Sequence, residues 1–206
     1  MNSMTQDDTI VSGYWEQFNR LYEEFKQKAE AISARVHRVR GYAEAAGEIA
    51  KIVHELKIKT IVTDLSPMVR ELNLAVTLDG AGASIYTENL RQWAAGADMG
   101  ISSADLAIAE TGTLGHYADD MEGRLVSMLP PVHLVLVRTD SLVNTLRIAL
   151  ERYKDNFSSL PAYLTFISGP SRTADIERVL TIGVHGPGKL EIIFIDSPGG
   201  DTRGAK

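Results

Sequence analysis

Three short segments gather residue types that could bind or transform a small molecule. Ala109-Glu110-Thr111-Gly112-Thr113 follows the apolar run Asp105 to Ala109 and sets a carboxylate, two hydroxyls and a glycine at a strand end. A carboxylate partly desolvated there holds its proton more tightly, so Glu110 could serve as general base or nucleophile. Thr111, Gly112 and Thr113 could offer hydroxyls and open N–H groups to a substrate, although a hydrogen-bonded turn would use the same residues. The second segment, Ser168-Gly169-Pro170-Ser171-Arg172-Thr173-Ala174-Asp175, lies between a strand and an expected short helix. Gly169 lets the backbone approach closely, Ser171 or Thr173 could cap the helix, and Arg172 adds a guanidinium, with Asp175 just beyond. Helix N–H groups, the positive end of the dipole and an arginine together suit phosphate or carboxylate. Capping alone would explain the hydroxyls but would not need the arginine. In the third segment, Val184-His185-Gly186-Pro187-Gly188, His185 could carry a proton or donate a hydrogen bond, or simply satisfy loop carbonyls.

Other candidates are weaker. Arg124 is a second cation for an anionic substrate, though Asp119, Asp120 and Glu122 stand near enough in sequence to pair with it. His133 sits inside an apolar run and reads as a satisfied core histidine. His37, His54 and His116 lack a metal-ligand spacing, so no metal site is expected. There is no Gly-Lys-Ser/Thr phosphate loop and no G-x-G-x-x-G opening a helix.

The elements that must position these residues alternate in type. Val11, Tyr14, Trp15, Phe18, Leu21, Tyr22, Phe25, Ala29 and Ile32 form one apolar stripe, which predicts a long amphipathic helix from Ile10 to about Val36. Such a stripe packs on its own domain or serves as an interaction arm. Beyond Gly41, helical periods over Ala43 to Leu56 and Asn89 to Ala95 alternate with short apolar runs. Lys59 to Asp64, Leu74 to Leu78, Ala83 to Tyr86, Asp105 to Ala109, Pro131 to Val137, Tyr163 to Ile167 and Leu190 to Ile195 all read as strands. Thr139-Asp140-Ser141 offers caps for a helix reaching Tyr153. Strands that are apolar almost throughout predict an α/β domain whose mostly parallel sheet is covered by helices on both faces. Ligands of such sheets collect beyond the carboxyl ends of the strands.

Composition narrows the classes. The 206 residues suit one domain, the formal net charge of −6 with no basic run argues against nucleic acid, and Cys 0 removes disulfides, thiolate nucleophiles and ligands for an iron–sulfur cluster. No stretch is long and apolar enough for a transmembrane segment, and no leader pattern opens the chain, so a cytoplasmic protein is expected.

AIAETGT (Ala107 to Thr113), GRLVSMLPPVHLVLV (Gly123 to Val137), GPSRTADIE (Gly169 to Glu177) and GVHGPGKLEIIFID (Gly183 to Asp196) resemble, in order and spacing, the lactate-utilisation protein C family, the stand-alone form of the LUD domain. The chain departs from that family where Leu114 is followed by Gly115-His116-Tyr117 instead of an apolar pair. The resemblance covers about 40–196, so a LUD α/β domain is expected over 39–196, with the helical stripe giving an N-terminal extension packed on it over 1–38 and the stretch from Ser197-Pro198-Gly199-Gly200 a flexible tail over 197–206. It also implies the fold of CoA transferases and ribose-5-phosphate isomerase. It further implies action beside iron–sulfur partner proteins in oxidising L-lactate to pyruvate. Clusters would then reside only in the partners, with a small anionic ligand held here. By analogy of fold, Glu110 could be an acyl nucleophile of the CoA-transferase kind. Two other readings stay open: a stand-alone enzyme acting on a phosphorylated or CoA-linked metabolite, and a scaffold subunit without a ligand of its own.

Overall fold

Apolar runs that lack polar alternation need cover on both sides, and the structure provides it. A computed structural model describes residues 6–118, 121–155, 163–174, 180–182 and 186–196 of the chain. Six strands form one parallel sheet: β1 (Ala34–Val39), β2 (Thr60–Thr63), β3 (Ser84–Tyr86), β4 (Met99–Ser103), β7 (Val132–Arg138) and β12 (Lys189–Ile195). They lie in the order β1-β12-β7-β4-β2-β3. A second sheet, in the order β8-β5-β6-β9, comprises β5 (Leu106–Ile108), β6 (Thr113–Ala118), β8 (Leu142–Val143) and β9 (Tyr163–Ile167). β10 (Arg172–Ala174) and β11 (Leu180–Ile182) pair antiparallel with each other.

The alternation of β12 shows how both faces are used. Ile193 and Ile195 join Leu134, Leu136 and Ile61 beneath α2 (Tyr42–Glu55), α3 (Pro67–Glu71) and α4 (Leu74–Thr77), in one buried cluster. Ile192 and Phe194 face the other way, joining Val135 and Val137 in a cluster with α1 (Gln6–Ala31) and the second sheet. On α1, Tyr22 and Phe25 meet the Phe194 ring edge-on, with centroids 5.3 and 5.0 Å away, a favourable aromatic geometry. Farther along that face, α5 (Leu90–Trp93) and α6 (Met121–Met128) bury Leu90 and Val126 against Val62. α7 (Leu146–Asp155) packs on the second sheet through Ala149 and Tyr153.

One charged group is buried in the central sheet. Glu191, 1% exposed, accepts from His37 Nε2 at 3.1 Å and lies 3.4 Å from Arg35, while His37 Nδ1 is 3.2 Å from Glu48 on α2. A buried carboxylate needs such partners.

Four readings of the sequence are corrected by the structure, which also adds β4 and β6, two strands that were not expected. The apolar stripe predicts helix to about Val36, but α1 ends at Ala31 and residues 34–39 form β1, the outer partner of β12. Leu74 to Leu78 is helix where a strand is expected; Asn73, in a left-handed conformation, starts the turn. Thr139–Ser141 is a single 3-10 turn leading into β8. The helix starts later, at Leu146, with Thr145 Oγ1 accepting from Ile148 N–H at 3.3 Å. Arg172–Ala174 is a strand, so no helix begins at Ser171 to Thr173.

Candidate functional site

Residues of the second and third segments meet at a surface cleft of about 530 Å³ lined by Ile32, Ser127, Met128, Phe166 and residues 167–171, 186 and 187, and none of residues 109–113 lines it. Each wall has a local cause. The Thr113 and Ser168 hydroxyls lie 2.7 Å apart, tying the first segment to the second. Ser171 N–H donates to the Pro187 carbonyl at 2.7 Å, tying the second to the third. Gly188 and Lys189 N–H groups both donate to the Pro131 carbonyl, at 2.9 and 3.2 Å, which fixes the 186–188 turn against the start of β7. The cleft therefore adjoins the amino ends of β7 and β12 in the central sheet and, as the sequence reading expected of the second segment, the carboxyl end of a strand, β9.

α1 closes the cleft from behind. Gly112 has φ +63°, and a Cβ there would stand 2.5 Å from the Ala29 nitrogen. Gly169 has φ +71°, and its Cβ would stand 3.0 Å from the Ile32 side chain. Both glycines thus combine a left-handed backbone with close approach of the helix end.

The remaining candidates spread out. Glu110 and Thr111 are exposed. Glu110 Oε2 accepts from Leu146 N–H at 3.3 Å, which caps the start of α7, and the residue is not part of the cleft wall. Thr113 is buried. The Arg124 guanidinium stacks 4.0 Å from the Tyr163 ring centroid. The backbones of Arg172 and Thr173 run in β10, next to Ser171. Asp119, Asp120, Asp175, His185 and the 197–206 tail lie outside the described residues.

A polar group that the sequence reading passed over lies at the opposite strand ends. Asp64 follows β2 directly and accepts from Ser66 N–H at 3.1 Å. Burial raises its carboxyl above the ordinary value, against hydrogen bonds from Ser66 and Ser103 and the influence of His116. His116 is 3% exposed, and its Nδ1 donates to the Ser103 carbonyl at 2.7 Å. His133 is 1% exposed and 2.8 Å from Ser102 Oγ through Nε2, the satisfied core histidine that its apolar run predicts. Burial pushes His133 down to about 3, with His116 adding to the effect. The available signal was position: Asp64 is the first polar side chain after an apolar strand.

Among the described residues, no group of three or more His, Asp or Glu side chains is placed to hold a metal. No helix among them is long and apolar enough to cross a membrane.

Comparison with known proteins gives this arrangement a family. The LUD domain family matches residues 22–195. The chain is 30% identical over 206 residues to lactate utilization protein C 1 of Bacillus mycoides, covering 90% of this chain and 85% of that protein. It is likewise 30% identical to lactate utilization protein C of Halalkalibacterium halodurans over 196 residues, covering 92% of this chain and 80% of that protein. A shorter match, 38% over 102 residues, covers 48% of this chain and 44% of lactate utilization protein C of Shouchella clausii. A crystal structure of a DUF162 family protein from Deinococcus radiodurans shares the fold, with TM-score 0.59 and 22% identity over 87% of this chain and 97% of that one. With a match over most of its length and near-complete alignment to relatives named for lactate utilisation, the chain belongs to the LUD domain family.

Proposed function

We propose that this chain is a cytoplasmic, cluster-free subunit of an L-lactate-oxidising assembly, and that it holds a small anionic ligand in the cleft between residues 168–171 and the 186–188 turn. The observation that carries the reading is the near full-length similarity to two relatives named lactate utilization protein C. The sequence contains Cys 0, which suits a division of labour in which iron–sulfur partner proteins carry the electrons taken from lactate. The cleft suits a small ligand because separate chain segments converge on it and hydrogen bonds brace them.

Within this reading the chain's own residues bind and position. Gly169 and Ser171 bring backbone close to the ligand, Arg172 and Thr173 follow directly in β10, and Ser127 lines the facing wall. The anion is held by loop backbone and arginine rather than by a helix terminus, since Arg172–Ala174 is strand. Glu110, exposed and engaged with α7, does not line the cleft, which disfavours a stand-alone acyl-transfer enzyme built on that carboxylate.

The test is reconstitution. Lactate-dependent reduction of a dye acceptor by the purified iron–sulfur partners should rise when this chain is added, and calorimetry should show L-lactate or pyruvate binding that Arg172→Ala weakens by more than about 1.5 kcal/mol. Equal electron transfer with and without the chain would remove the subunit role, and unchanged binding in the variant would remove the arginine from the site.

A further inference from the structure

The connections of the central sheet diverge between β2 and β4. From β2 the chain goes outward to the edge strand β3, whereas from β4 it leads on to β7 and then β12 on the other side. In open α/β sheets such a divergence opens a crevice beyond the carboxyl ends of the two strands, and ligands bind there. Asp64 and Ser103 occupy these ends, immediately after β2 and at the last position of β4.

A second observation makes the crevice more than topology. His116 projects from β6 beside Ser103 and is 3% exposed. The Ser103 carbonyl can only accept, so Nδ1 carries a proton, and Nε2 is the ring atom left to meet another group. Nε2 is buried and meets no hydrogen-bond partner among the described residues. Buried polar atoms are seldom left unpaired, because desolvation is then uncompensated. His133, behind His116, is engaged with Ser102. Asp64 is part-buried and takes its hydrogen bonds from Ser66 and Ser103.

We infer that the crevice between β2 and β4 binds a hydroxyl group of a small uncharged ligand, an alcohol, polyol or sugar, with the ligand hydroxyl hydrogen-bonded to His116 Nε2 and Asp64 beside it. The carboxylate of Asp64 disfavours an anion. The site is thereby separate in chemistry from the cleft at 168–171 and 186–188, and neither Asp64 nor His116 lines that cleft. The inference depends on neither lactate nor a partner protein.

Histidine ¹⁵N NMR on the full chain tests it, with glycerol, D-ribose and L-lactamide as hydroxyl probes and propanamide as the matched amide without a hydroxyl. The His116 Nε2 resonance should move saturably with at least one hydroxyl probe and stay fixed with propanamide, while His133 stays fixed throughout. His116→Asn retains a donor for the Ser103 carbonyl and lacks Nε2, so it should abolish binding of the responding probe. Asp64→Asn, at a partly exposed position, should weaken it about tenfold, and provides the readout should the His116 variant not fold. An Nε2 resonance that no probe moves reports a site filled by water alone and overturns the inference. An equal response to propanamide, or unchanged affinity in Asp64→Asn, does so as well.

Discussion

Thr113 Oγ1 and Ser168 Oγ lie 2.7 Å apart, although 55 residues separate them in the chain. Through this contact the buried Thr113, just after the β5–β6 turn, braces the loop after β9 that lines the cleft. Thr113→Val keeps the shape of the side chain and removes the hydrogen bond. Because Ser168 is exposed and can turn to water, the expected loss is about 1 kcal/mol in urea unfolding. Weaker binding of L-lactate or pyruvate by calorimetry should accompany it; binding at wild-type strength would show that this brace does not shape the ligand site.

Gly112→Ala should be far more damaging than its size suggests. Its Cβ would fall 2.5 Å from the Ala29 nitrogen, in backbone that no flexible side chain can vacate, and the residue has φ +63°. Left-handed strain and overpacking add to a loss of about 3 kcal/mol. Gly80→Ala, with φ +81° and open space around its Cβ, is the control and should cost about 1 kcal/mol. Equal losses at the two positions would mean that α1 does not press on the turn.

Acid should weaken the fold through His133. Its folded-state pKa, about 3, lies below the ordinary 6.5. Between those values the unfolded chain binds a proton that the native chain refuses, so stability falls as pH drops through that window, by up to about 1.4 kcal/mol per pH unit. Asp64 acts with the opposite sign: its raised value means that the unfolded chain ionises first, which favours the fold at low pH and costs stability as pH rises. In chemical denaturation as a function of pH, His133→Gln should flatten the acid limb, and Asp64→Asn should steepen it.

The Glu191–His37 pair carries a stability prediction of its own. His37→Ala leaves the 1%-exposed Glu191 carboxylate with Arg35 alone at 3.4 Å. His37 is partly exposed, so the expected loss is about 2 kcal/mol, below that of breaking a fully buried pair. His37→Ala combined with Glu191→Leu should recover most of it in the same unfolding assay, since the stranded charge is gone; no recovery would place the cost in lost packing.

The strands of the central sheet were legible wherever they were apolar on both faces, as in Pro131 to Val137 and Leu190 to Ile195. β1 was not, because Ala34, Arg35, Val36, His37 and Arg38 put charged groups among few apolar ones and the helical stripe ran smoothly into it; its partner β12 lies more than 150 residues away in the chain. α4 was misread because Leu74-Ala75-Val76-Thr77 has the β-branched content of a strand, and tertiary packing on α2 decided otherwise. The cleft was legible as segments but not as a place, since only the register of β7 and β12 brings residues 131, 171 and 187 together. His116 was weighed only for metal-ligand spacing, because a buried ring nitrogen without a partner has no signature in a sequence.

The pairing of β1 with β12 also sets a timetable for synthesis. Residues 34–39 leave the ribosome early, yet their hydrogen-bonding partner, residues 189–195, is made far later. The same holds for Tyr22 and Phe25, whose aromatic contact is Phe194. Until then the apolar stripe of α1 has only part of its seat, on β7 and the second sheet, and β7 lacks the neighbour that separates it from β1. A nascent chain of this protein therefore waits with α1 partly uncovered, and such delayed, long-range closure folds slowly and invites chaperone attention.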